Sequence, residues 1–154
     1  CALPIYLQKL KDKKLLTDEV AVAASIVAKD KKIRQLVFGF QRKIAYSSPS
    51  CLDGRDICSI IIPDSPFKFY ITANVKIRAK RRFKELKKLG KKITYKEVLK
   101  SIRKRDLIDR TRAVSPLIRT KTSLLINTSK LTIKGGFLKI KKIMDKKLKK
   151  YASL

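Results

Sequence analysis

The chain has 154 residues, 44% of them hydrophobic and 34% charged, with a net charge of +28 and no histidine. This is about one domain's length with apolar residues enough for a core, which argues against a mainly disordered chain. The lack of His excludes His-based acid–base catalysis, Ser-His triads and His metal sites. The charge would ordinarily point to nucleic acid or an acidic membrane surface, but most of the excess is Lys spread from end to end, as on any solvated face.

Arg is the informative cation. Arg55, Arg78, Arg81, Arg82, Arg103, Arg105, Arg110 and Arg112 fall into three short stretches, where Lys would keep the charge and lose the planar fork of donors. No apolar run approaches the ~20 residues that span a bilayer, and no signal sequence opens the chain, so a cytoplasmic protein is expected. Cys1, Cys51 and Cys58 have neither metal-ligand spacing nor an even count, and are expected to be reduced thiols. There is no initiator Met, and CALPI reads as a short artefactual start on a fragment.

Residues 1–16 carry a short apolar piece, Ile5 to Leu7, and a Lys-rich connection. Thr17 followed by Asp18 and Glu19 predicts a helix start, and VAVAASIVA a small-residue helix. Asp30 is placed to cap a second helix in which Ile33, Leu36, Val37, Phe40 and Ile44 form one apolar stripe for core packing, ended by SSPS. In CLDGRDICSIIIPD a short strand is expected to end at Asp53-Gly54-Arg55-Asp56, with a second apolar run from Ile60 to Ile62. Asp-Gly is consistent with an ordinary hairpin turn. An Arg between two Asp at a strand's end also suits the region where open α/β sheets bind ligands.

KFYITA, residues 68–73, predicts a strand, and residues 75–90 a basic helix closed by Gly90. Thr94 and Glu97 form a capping box for the next helix, with Val98, Leu99 and Ile102 on its inner side. In its continuation, KRDLIDRTRAVSPL, Arg105, Asp109 and Arg112 sit at i, i+4 and i+7, a carboxylate between two guanidiniums on one face. Such a row can bind phosphate or carboxylate, or be merely a salt-bridged solvated helix. SLLINTS, residues 123–129, predicts a buried-type strand. In Thr132 to Lys150, Ile133, Phe137, Ile140 and Met144 have helical spacing, predicting a helix packed on a sheet, with a basic amphipathic membrane helix as the alternative. The alternation predicts a parallel sheet with flanking helices, with three strands at most in the C-terminal two-thirds.

Taken together, LDGRDI…IIIPDSPFKFYITA, RAKRRFKEL, SIRKRDLIDRTRAVSPL and LLINTSKLTI resemble the bacterial cytidylate kinases in order and spacing, as does EVAVAASIVAKDKKIRQLVFGFQRKIA before them. The resemblance covers about residues 15–148. It implies an α/β P-loop nucleoside-monophosphate-kinase fold, a parallel sheet flanked by helices, with a truncated kinase domain over 17–154 and a lid at about 78–112. Residues 1–16 would be the artefactual start and a remnant of the acceptor-binding region. The implied reaction moves a phosphoryl group from ATP, with Mg²⁺, to CMP or dCMP in a monomer that needs neither nucleic acid nor membrane. By position, Ser25, Arg34 and Asp56 would contact the cytosine, Arg105 and Asp109 the ribose side, and Arg55 and Arg112 the acceptor phosphate. Arg78, Arg81 and Arg82 would grip the donor phosphates. No metal-ligating residue is assigned.

Two features depart from the family pattern. Where the family continues Asp-Gly-Arg-Asp with a residue, Gly and Thr, this chain has Ile57, Cys58 and Ser59. No G-x-x-x-x-G-K-[ST] occurs, and the glycines at 39, 54, 90, 135 and 136 cannot form a phosphate cradle. The loop and first strand would lie upstream of Cys1, leaving the sheet incomplete, with a gap of about 10 Å or an altered pairing. The chain alone is therefore expected to be poorly stable and inactive. Rival readings are a basic RNA- or ribosome-binding protein without catalysis, and a nucleoside-monophosphate kinase for another base.

Overall fold

The computed structural model describes residues 17–28 and 30–152; the expected artefactual start and acceptor-region remnant at 1–16 lie outside them. Helix α1, Asp18–Val27, begins where the Thr17 hydroxyl accepts from the Val20 amide at 3.3 Å. Helix α2, Lys31–Ser47, begins where the Asp30 carboxylate accepts from the amides of Lys32 and Ile33 at 2.8 and 3.0 Å. Both caps satisfy amides that a first helical turn leaves without partners.

Strand β1, Phe69–Thr72, leads through Asn74 into α3, Val75–Lys88, and then into α4, Tyr95–Thr111. Gly90 between the helices has φ +73°, a conformation open to glycine at no steric cost. The capping box at Thr94 and Glu97 forms with both of its reciprocal bonds. Strand β2, Leu124–Asn127, pairs in parallel with β1 in the register Phe69↔Leu124 to Thr72↔Asn127. Amides of Leu124 and Thr128 extend the ladder to the carbonyls of Lys68 and Thr72. Helix α5 spans Ile133–Ala152.

The α3–α4 hairpin is the best-packed part. Ala79, Leu86 and Val98 are buried, with Phe83, Ile93, Leu99 and Ile102 packed against them, as the inner-side spacing on α4 predicts. A Phe83–Tyr95 edge-to-face pair at 6.2 Å lies beside this cluster.

Several local expectations are corrected. The sheet of the described residues has two strands, within the three at most that the alternation allows. The residues before Asp53 form no strand, because a strand needs a hydrogen-bonded neighbour and none lies beside them among the described residues. Of the apolar run Ile60–Ile62, the first two residues lie in a π-helical turn, Ile57–Ile61, and Ile62 caps it. Its backbone is satisfied locally: the Asp56 carbonyl accepts from the Ser59, Ile60 and Ile61 amides at 3.3, 2.8 and 3.3 Å. In β2 only Ile126 is buried, so it is not the buried-type strand its apolar run suggested.

The apolar stripes of α2 and α5 also depart from expectation. On α2, Leu36 is 78% exposed and no residue of the helix is buried; on α5, Ile133 is 96% exposed and Phe137 63%. No described element covers the α2 stripe, while on α5 Ile140 and Met144 are half-buried. Polar bonds tether α2 instead: Arg34 pairs with Asp56, and Arg42 donates to the Ile61 carbonyl at 3.1 Å. No helix among the described residues is long and apolar enough to cross a membrane.

Candidate active site

Three aspartates, Asp56, Asp106 and Asp109, hold Arg55, Arg78 and Arg112 from the arginine-rich stretches, and Arg34 besides. Asp106 and Asp109 lie three residues apart on one side of α4. The helix ends at Thr111, and Arg112 turns out of helical geometry, with ψ 138°. Ser115 then takes φ +52°, rare for a residue with a side chain, and the chain folds back so that the Leu117 amide donates to the Asp109 carbonyl at 2.6 Å. The Ser115 carbonyl accepts from Arg112 Nε at 2.7 Å. Arg112 is therefore anchored through Nε, with one terminal nitrogen at an ion-pair distance of 3.8 Å from Asp109 Oδ1.

Asp109, only 4% exposed, accepts from Arg55 Nε through its other oxygen at 2.6 Å. A carboxylate between two guanidiniums thus forms as the sequence suggested, with one partner exchanged. Arg105 is exposed and makes no hydrogen bond or ion pair among the described residues. The physical reason is that residues 112–117 fold over the last turn of α4, where Asp109 lies, and leave Arg105 one turn earlier uncovered. Arg55, 54 residues away in sequence, reaches that covered carboxylate instead.

Next to Arg55, the buried Asp56 pairs with Arg34 of α2, whose fork also donates to the Ala28 carbonyl at 3.1 Å. The loop carrying Arg55 and Asp56 therefore joins α2 on one side to α4 on the other. Gly54 fits this loop because a Cβ there would lie 2.8 Å from Ile57 Cγ1. Ser25 is on α1, but its side chain lies outside the described ones.

The residues expected at the donor phosphates are each engaged within the fold. Arg78 grips Asp106 with both terminal nitrogens, at 2.9 and 2.5 Å, while its Nε donates to the Ala73 carbonyl at 3.0 Å. Arg81 donates to the Thr128 and Leu131 carbonyls at 2.6 and 3.0 Å, tying α3 to the segment after β2. Arg82 pairs with Glu85 at 3.1 Å. Among the described residues no three His, Cys, Asp or Glu side chains gather into a group able to hold a metal ion.

Arg78's hydrogen bonds hold the Asp106 carboxyl below the ordinary carboxylate range despite partial burial, and its charge, Arg110 and Arg55 add to the effect. A carboxylate with a depressed folded pKa stabilises the fold above its unfolded value of about 4 and loses that contribution as pH falls through the folded value. The α3–α4 tie is expected to persist from neutral pH to about 4 and to open only below it. A carboxyl-detected NMR titration checks this; an Asp106 that titrates at or above the ordinary value contradicts it.

Residues 5–148 match the family described as cytidylate kinase. The chain belongs to the cytidylate kinase family. Cytidylate kinase of Clostridium botulinum (strain Okra / Type B1) is 44% identical over 115 residues, which is 75% of this chain and 53% of that protein. Cytidylate kinase of Clostridium tetani (strain Massachusetts / E88) is 39% identical over 130 residues, 84% of this chain and 56% of that protein. Cytidylate kinase of Caldanaerobacter subterraneus subsp. tengcongensis is 41% identical over 113 residues, 73% of this chain and 50% of that protein. The chain spans about half the length of the curated relatives it matches.

The cytidylate kinase family has the P-loop nucleoside-monophosphate-kinase fold, and the described residues hold an incomplete α/β part of it, a small parallel sheet and its helices. Two positions in this chain escape sequence reasoning as site-builders. Ser115 is undistinguished in sequence, yet its carbonyl holds Arg112. Asp106 lies next to Arg105 in the chain, yet its partner on α3 lies 28 residues earlier with no local signal linking the two.

Proposed function

We propose that a protein carrying this chain transfers the γ-phosphoryl group of ATP to CMP or dCMP, and that these residues form the acceptor side of its site. The observation that carries the proposal is the buried Asp109 between Arg55 and Arg112, which brings two guanidiniums from distant segments together at one carboxylate. In the reaction an acceptor phosphate oxygen forms a bond to the γ-phosphorus as the bond to the β-bridging oxygen breaks, leaving ADP and CDP or dCDP. This chemistry is mainly positioning and charge neutralisation, so it needs no histidine.

Arg55 and Arg112 would hold the acceptor phosphate, Asp109 and Arg105 the ribose side, and Ser25, Arg34 and Asp56 the cytosine. Asp56, which when ionised accepts and does not donate, suits the exocyclic amine of cytosine. Arg78, Arg81 and Arg82, in a lid at about 78–112, would act at the donor phosphates. Mg²⁺ would arrive with those phosphates, since it keeps several waters and needs only one or two carboxylates. The reading places the protein in the cytoplasm as a monomer. Against an RNA-binding role stands the engagement of Arg34, Arg55, Arg78 and Arg112 with aspartates rather than with solvent.

Isothermal titration with CMP, UMP and AMP tests the base assignment. The expected order is CMP tightest, and Asp56→Asn is expected to cut CMP affinity by about tenfold or more while narrowing the gap to UMP. Thermal melting of the variant separates this from unfolding caused by losing the Arg34 pair. An unchanged CMP-to-UMP ratio in a folded Asp56→Asn protein contradicts the role of Asp56.

A further inference from the structure

Beside the Arg78–Asp106 pair lies a cleft of about 410 Å³, lined in part by Thr72 and Ala73 at the C-terminal end of β1 and by Arg103 and Arg110 of α4. Arg103 and Arg110 make no hydrogen bond or ion pair among the described residues. This cleft is therefore cationic, with Asp106 as the one carboxylate in its lining. The carboxylate stands where it would weaken attraction for any anion.

We propose that Asp106 is a positioning residue that fixes Arg78 for recognition of a polyphosphate group in this cleft. The inference rests on the phosphate role proposed for Arg78. Three of the five guanidinium N–H groups are used within the fold, by the Ala73 carbonyl and the two Asp106 oxygens. Those three bonds lock the plane of the fork at the end of the parallel strand, the end at which open α/β sheets bind ligands. Two N–H groups are left on a guanidinium that can no longer turn. A fork fixed before binding loses less rotamer freedom when an anion arrives, so orientation offsets the repulsion from the carboxylate. Asp106 also belongs to α4, three residues before Asp109, so the same helix carries the carboxylates that hold Arg78 and Arg55.

Positioning and plain electrostatics predict opposite signs, which makes the proposal testable with tripolyphosphate as the probe. Isothermal titration is carried out on the 154-residue chain, in the cold and at physiological salt, with CMP titrated in parallel. Asp106→Asn raises the net charge by one and is nevertheless expected to weaken tripolyphosphate binding by about tenfold, while CMP affinity is kept. Asp106→Glu is expected to retain most of the wild-type affinity. Asp145→Asn, which removes a half-exposed carboxylate on α5 paired with Lys141, is expected to leave binding unchanged or slightly tighter. Equal or tighter tripolyphosphate binding by Asp106→Asn overturns the proposal, as does a parallel loss of CMP and tripolyphosphate, which marks a purely structural tie. Arg78→Lys separates the two levels. If it binds tripolyphosphate like wild type, the phosphate role of Arg78 fails, and the inference with it. If it is impaired and Asp106→Asn is not, the inference alone fails.

Discussion

Replacing Arg112 by Lys is expected to weaken CMP binding by about 10- to 100-fold, the scale of losing a hydrogen bond to a charged group. The reason is geometric. Arg112 uses Nε to hold the Ser115 carbonyl and directs a terminal nitrogen at Asp109, so a planar fork is fixed in place where the helix ends. Lys carries the same charge on a flexible stem without a fork, and it cannot bond the carbonyl and face the carboxylate in the same arrangement. Arg112's side chain is 7% exposed, so the surrounding water cannot replace the lost bonds. Lys146→Ala, an exposed change on α5, is expected to leave CMP affinity within about twofold. Calorimetric titration of both variants decides the matter, with thermal melts confirming that each is folded. Equal, small effects at the two positions would refute the assignment of Arg112.

The 154-residue chain by itself is expected to show no phosphorylation of CMP, and to melt below about 45 °C, the lower edge of the range usual for mesophilic domains. None of its five glycines lies in a G-x-x-x-x-G-K-[ST] cradle, so the sequence supplies no ring of backbone amides for the donor phosphates. The physical grounds for low stability are equally direct. The described buried apolar residues are Ile57, Ile61, Ala73, Ala79, Leu86, Val98 and Ile126, a thin core for a chain of this length. The described residues pair one edge of β1 with β2 and place no strand on its other edge. A coupled assay for ADP release with CMP and ATP, and a scanning melt, check both parts. Robust turnover by the isolated chain contradicts the first, and a high melting temperature the second.

Much of the local structure was legible. Thr17, Asp30 and the Thr94–Glu97 box mark helix starts through bonds that reach only two or three residues along the chain. Gly90 marks the end of α3 for an equally local reason, its positive φ. The inner face of α4 followed from helical spacing because α3 is there to cover it. The stripe on α2 has the same spacing and remains exposed, and that on α5 is exposed at Ile133 and Phe137 and half-buried at Ile140 and Met144. Periodicity tells which residues share a face, and burial of that face depends on another element lying over it.

The site divides along the same line. Sequence by itself determined which residue types are available, where the arginines concentrate, and that Asp109 lies within reach of a guanidinium one turn away. Tertiary structure decided which guanidiniums take part. Arg55 displaced Arg105 as the partner of Asp109, Asp56 found Arg34 on α2, and Asp106 found Arg78 on α3. Charge attraction at short range has no sequence register, so a carboxylate pairs with whichever guanidinium the fold brings within about 3 Å under cover from water. At Asp109 that cover comes from residues 112–117 folding back over the end of α4.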